Sequence, residues 1–174
     1  MNPNEKGSML LEAIIGTALI ALLSVGTGMT ISQMINNCQS SFDWTTAIRQ
    51  AQSVGYWVSQ DALRAQTIEI GDDPETGDDV EFIIVHWKDW ETGDTREIRY
   101  LWLDSVDSLK KLMRNQVIKD KNGVEIGNKT ALVADNINTA SFSEQTGRWS
   151  LSVEACSGDK SVTREYEIYH RLEI

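Results

Sequence analysis

Charge is what this sequence has least of where it matters most. Between Lys6 and Asp43 the only charged residue is Glu12. Cysteine is nearly absent (Cys38 and Cys156), and the two histidines, His86 and His170, have no Cys, Asp or Glu at ligand spacing, so the pattern holds no zinc signature. Each histidine lies in a strand-like stretch and reads as structural. No glycine-rich phosphate loop, nucleophile elbow or H-E-x-x-H occurs, so no catalytic constellation is legible and no cofactor or metal is expected. Basic residues are also scarce: 16 against 26 acidic, for a net charge of -10. All but Glu5, Lys6 and Glu12 of these lie from residue 43 onward. A surface so acidic repels phosphate backbones, and nucleic-acid affinity comes largely from phosphate neutralisation, so no direct nucleic-acid binding is expected. Proline occurs only at positions 3 and 74, and there are no repeats or low-complexity tracts.

The uncharged run to about Ile35 exceeds the roughly 18 to 20 apolar residues needed to cross a bilayer, and reads as a membrane-spanning helix. Glu12 lies one turn inside it. A carboxylate there costs about 2.5 kcal/mol or more unless it is partnered, which makes it a functional candidate. The alternative is a helix-start glutamate at the headgroup level, favoured by the helix dipole. Glycines 16, 26 and 28 loosen the run, each costing about 1 kcal/mol relative to alanine.

Further on, Trp44, Ile48, Ala51, Gly55, Val58, Ala62 and Ala65 recur at helical spacing, widened by Val54, Trp57 and Leu63. Asp43, Arg49, Gln52, Asp61 and Arg64 fall off that stripe on this reading. The helix therefore continues beyond the membrane with an amphipathic half. After it, residues 72–79 place five carboxylates in a turn-rich loop. That composition suits either an ordinary solvated loop or a calcium site.

The remainder reads as strands and turns. Val80 to Trp87 and Arg96 to Leu103 flank hairpin chemistry at Asp89-Trp90-Glu91-Thr92-Gly93-Asp94. Leu109 to Ile118 is a third strand, whose Lys110, Lys111, Arg114 and Lys119 form a basic cluster. The cluster reads as a solvated strand edge or as a contact with an acidic neighbour. Ile137 to Glu144, Arg148 to Ala155 and Val162 to Leu172 complete the set. Some of the six tryptophans fill the core, and Trp90, in a polar turn, is expected to be exposed. A long helix followed only by strands implies an α+β fold with a mainly antiparallel sheet.

The order Lys6-Gly7-Ser8-Met9-Leu10-Leu11-Glu12 resembles the class III signal of type IV pilins and type II secretion pseudopilins. The secretory pattern, in contrast, puts its cleavage site after a shorter apolar stretch. The resemblance implies cleavage by a prepilin peptidase between Gly7 and Ser8, N-methylation of Ser8, and a subunit-assembly role for Glu12, paired with the N-terminal amine of a neighbouring subunit. Ser8 and Met9 stand where the family usually has Phe or Met, then Thr or Ser. The family's helix-kinking proline is missing.

Val58 to Ala65 running into Thr67-Ile68, and Leu132 to Ile137 leading to Phe142, are similar to J-type minor pseudopilins and their pilus counterparts. The expected organisation is a leader (1–7), a transmembrane and filament-core helix (8–35), the amphipathic half of that helix (36–66), and an extracytoplasmic pilin-like sheet domain (67–174). The chain is expected to be a structural, minor filament subunit rather than an enzyme. Its implied partners are other pilin or pseudopilin subunits, the prepilin peptidase, the inner-membrane assembly platform and membrane lipid. The implied location is the cytoplasmic membrane, single-pass with the domain outside, and then an extracellular or periplasmic filament. The alternatives are a pilin-anchored binding module and an unprocessed membrane-anchored domain. A domain outside the cytoplasm permits a disulfide between Cys38 and Cys156. The alternative there is two separate buried thiols.

Overall fold

The computed structural model describes residues 3–71, 80–104, 109–145 and 148–169. The chain forms one long helix, α1 (Pro3–Arg64), and seven strands: β1 (Thr67–Ile70), β2 (Val80–Lys88), β3 (Thr95–Asp104), β4 (Lys110–Lys119), β5 (Glu125–Gln145), β6 (Arg148–Ser157) and β7 (Lys160–Ile168). It divides into two compact units, Met1–Phe42 and Asp43–Ile174, so α1 contributes to both. The fold is α+β.

Helix α1 opens at Pro3, a residue whose fixed φ suits a first helical turn, and meets no second proline. It ends without a glycine cap. The N–H of Ala65 reaches the Ala62 carbonyl three residues back, and that of Gln66 is already donated to His86 of β2, so sheet pairing stops the helix. Arg64 in the last turn complements the dipole.

The sheet is antiparallel throughout, with spatial order β1 to β7 following the chain. Hairpin turns with left-handed glycines, Gly93, Gly123 and Gly158, link β2 to β3, β4 to β5 and β6 to β7. The first two are braced by carboxylates: Asp89 accepts the N–H of Glu91, and Asp120 those of Asn122 and Val124.

Alternation puts Ile98, Tyr100 and Trp102 of β3, Leu112 of β4, and Leu151, Val153 and Ala155 of β6 on one buried face. A bulge between Glu81 and Ile83 breaks the alternation in β2, so Phe82 and Ile83 are both buried. Against this face the second unit's helical stretch packs Ala51, Val54, Val58 and Ala62, with Ala65 just beyond its end, all at most 1% exposed.

The sheet also curls. Phe82 on β2 and Phe142 on β5 are three strands apart, about 14 Å in a flat sheet. Their ring centroids are nevertheless 6.4 Å apart. With Trp102 packed on Phe82, and Trp149 stacked on Phe142, they extend the core between the two arms of the curl.

Strand β5 turns this corner. It begins twelve residues before the expected Ile137, pairs with β4 up to Ile137, and from there pairs with β6. At the corner Val133, Asp135 and Asn136 stand opposite no β4 residue, and Asn136 is left-handed with φ 59°. The helix supplies hydrogen-bond partners here. Ser53 Oγ donates to the Val133 carbonyl (2.7 Å), and Gln50 Oε1 accepts the Asp135 N–H (3.1 Å).

Two expectations are corrected. Trp44 does not begin the buried stripe: it is 49% exposed, and Asp43 and Ala47 are the buried residues of that turn. The basic cluster is not on a strand edge, because β4 is the middle strand of seven.

Candidate functional site: the apolar helix and the buried ion pair

From Leu11 to Phe42 nearly every large apolar side chain of α1 is exposed, including Ile20, Leu22, Leu23, Met34 and Phe42, at 66% to 71%. This is the one helix among the described residues long and apolar enough to cross a membrane. Four of its hydroxyls are satisfied within the helix. Thr17, Ser24, Thr27 and Thr30 each donate to a carbonyl three or four residues back, at 2.8 to 3.0 Å. Hydroxyls bonded in this way need no water, which suits an apolar surrounding.

Glu12 is exposed on this helix and makes no hydrogen bond or ion pair among the described residues. Gly7 and Ser8 lie in its first turns, and the description of side chains begins at Leu11. Around Gly26 a shallow groove lined by Leu22, Leu23, Thr27, Thr30 and Ile31 leaves the backbone uncovered.

The second unit holds a constellation that sequence reasoning missed. Asp61, 2% exposed, receives two hydrogen bonds from Arg114, from Nε at 2.7 Å and from Nη2 at 3.0 Å, and a third from the Tyr100 hydroxyl. Trp57 covers the guanidinium, its ring centroid 5.1 Å from Arg114 Cζ, while Nη1 donates to Gln116 at 3.3 Å. Burial, then the Asp61 charge, push the Tyr100 hydroxyl far above its ordinary value, so it stays a donor. Burial works against the Arg114 charge, but the hydrogen bonds and charge of Asp61 outweigh it and raise the guanidinium further.

The signal for this pair was present in the chain. Asp61 is three residues after Val58 and four before Ala65, in phase with the buried stripe, and Arg114 alternates with Leu112 on the inward face of β4. Each looked solvated because its partner lies 53 residues away.

On the opposite sheet face Arg99 donates to both Glu97 and Glu81, and Lys119 lies 3.7 Å from Glu97. Burial raises the Glu97 carboxyl, but Arg99 and then Lys119 outweigh it and hold the group below its usual range. His86 Nδ1 lies 3.9 Å from Glu97. His170 and the acidic loop 72–79 lie outside the described residues.

Cys38, exposed on α1, and Cys156, half-buried on β6, are free thiols, so Cys38 is not the buried thiol of the alternative reading. Lys110 and Lys111 are exposed, Lys110 Nζ lying 5.9 Å from the Trp102 ring. Among the described residues no three of His, Cys, Asp and Glu gather where a metal could be held. Trp90, at the β2–β3 turn, is 82% exposed. Comparison with known proteins gives no matching family model, no matching curated protein and no matching solved structure.

Proposed function

We propose that this chain is a minor structural subunit of a filament of the type IV pilus or type II secretion kind, anchored and assembled through its N-terminal helix. The single observation that carries the reading is Glu12, exposed and, among the described residues, unpaired on a helix otherwise uncharged from Gly7 to Phe42. A carboxylate in lipid is costly unless it is partnered, and a group of opposite charge supplies such a partner. Cleavage after Gly7 creates such a partner, the amine of Ser8, on every neighbouring subunit. The apolar side chains from Leu11 to Phe42 then supply packing between helices, and the acidic sheet domain lies outside the membrane. The reading assigns no reaction to this chain. Its peptidase, its assembly platform and its fellow subunits belong to the same proposal.

A second reading, a binding module displayed on the same anchor, is favoured by Trp90, which stands out at 82% exposure on a braced turn.

The deciding experiment is the intact mass and N-terminal sequence of the chain purified from its native membrane. The filament reading expects Ser8 at the N-terminus, with or without a methyl group, and an N-terminus at Met1 would overturn it. Replacing Gly7 with a bulky residue should leave the longer precursor in the membrane. Glu12→Ala should insert normally yet enter filaments poorly; normal incorporation would remove the pairing mechanism.

A further inference from the structure

Strand β5 carries an edge that its own sheet leaves open. Strand β4 pairs with it from Glu125 to Ile137, and β6, on its other side, pairs only from Ile137 onward. The tip of the β6–β7 hairpin is held on the helix instead, where Ser157 Oγ donates to Asp43 at 3.3 Å. Ser53 and Gln50 fill the edge at Val133 and Asp135. From 126 to 132 it meets no hydrogen-bonding partner among the described residues, and every residue there but Gly127 and Ala131 is exposed.

Both ends of this window are fixed. At one end β5 is bulged: Gly127 stands opposite Ile118 and Glu125 opposite Lys119, so Ile126 has no β4 partner. At the other end Ser53 already occupies the Val133 carbonyl. The seven residues between span about 24 Å and turn unpaired N–H and C=O groups to the open side. Ile126, 59% exposed, and Leu132, 53% exposed, close the window, and Lys129 is its centre.

Bare edges recruit other strands. A second copy would meet this one antiparallel, about a two-fold axis. Pairing the whole window then sets Ile126 against Leu132 at both ends, Asn128 against Thr130, and Lys129 against Lys129. Like charges directly opposite one another destabilise a strand pair. Moving the axis by one residue relieves that clash, but pairs five residues of the window instead of seven. Lys129 makes no ion pair of its own among the described residues, so its ammonium is free to meet an acid.

We propose that residues 126–132 are a strand-docking surface that turns away a second copy of this chain and accepts an extended segment of a different chain with a carboxylate opposite Lys129. Main-chain hydrogen bonds supply the affinity of such strand addition, and the lysine supplies the selection. The inference goes beyond the filament reading and depends only on the second unit.

The probe is a charge-reversed copy of the chain itself, Lys129→Glu, which presents the same edge with a carboxylate at its centre. Full-length chains in detergent, with Cys38→Ser and Cys156→Ser, carry one spin label at Thr130→Cys. Whole-window pairing brings that position within about 8 Å of its counterpart. Alone, the Lys129 chain and the Lys129→Glu chain should each show no dipolar broadening. Mixed in equal amounts they should broaden, and the broadening should fall as salt is raised. The uncharged Lys129→Val chain should broaden on its own. Association through the apolar helices is common to all these chains and cancels in the comparison. Broadening by the Lys129 chain alone would show second copies pairing here and would overturn the selection. Absence of broadening in the mixture, with both chains folded, would overturn the docking surface. Should the Lys129→Glu chain not fold, Lys129→Val is read instead, and its failure to broaden would overturn the proposal equally.

Discussion

One helix serves two regions of this molecule under opposite rules. In the first unit its large apolar side chains, Leu22, Leu23 and Met34 among them, stand exposed. In the second the buried residues are small, Ala47, Ala51, Val54 and Ala62, and the larger Tyr56 and Leu63 stand exposed. The difference shows what each region is built to meet. A helix that packs on its own sheet needs a close-fitting face of small residues, with hydrogen-bonding groups placed where the sheet lacks partners. A helix whose surroundings come from outside its own chain needs bulk and few charges. The comparison extends to the carboxylates. Asp61 has three donors on it, whereas Glu12 has none among the described residues.

The largest effect should come from breaking the second region's polar contact on one side only. Arg114→Met with Asp61 retained leaves a buried carboxylate without its cation, and should cost about 3 to 5 kcal/mol in denaturant unfolding followed by tryptophan fluorescence. A loss below about 1 kcal/mol would show that water reaches the site. Next comes Gly55→Ala, where the new methyl meets the Tyr166 ring. Overpacking of this kind costs about 1 to 3 kcal/mol. Combining it with Tyr166→Leu should recover part of the loss, measured as a shift in unfolding midpoint.

A smaller, pH-dependent term sharpens the comparison within the sheet. The Glu97 carboxyl is held below the usual glutamate value of 4.5 by Arg99 and Lys119. Its contribution is therefore present above that value and is lost as pH falls through the lower folded-state one. Glu97→Gln should flatten the acid limb of the stability curve below the usual value and leave its slope near neutrality unchanged. The smallest effect belongs to the first region. Leu23→Ala, on the exposed helix, should shift unfolding of the sheet domain by less than about 0.5 kcal/mol. Its effect should appear instead in how firmly the chain partitions into lipid.

Much of the architecture was legible because it is local. The uncharged run, the continuous helix and the turn chemistry at 89–94 are each written in neighbouring residues, and the β2–β3 hairpin follows that turn. Trp90 could be read as exposed because nothing apolar surrounds it in the chain. The phase of the buried stripe was harder to read. Trp44 and Ile48 are more hydrophobic than Asp43 and Ala47, and side-chain character misplaced the first turn by one residue. Strand β5 was read at well under half its length of 21 residues, because Gly127, Asn128 and Lys129 hide a strand that only pairing with β4 holds in place.

By itself, then, the chain determined the elements and their order: one long helix, apolar in its first part and amphipathic in its second, and then hairpin after hairpin. It also determined that Glu12 stands alone among uncharged neighbours. Tertiary structure alone decided that Asp61 meets Arg114 and Tyr100, that β5 bends at Asn136 so that Ser53 and Gln50 find partners, and that the sheet curls until Phe82 reaches Phe142. The reason is one of range. Periodicity and turn chemistry act over a few residues, whereas a buried charge is tolerable only beside a partner the chain delivers from far away.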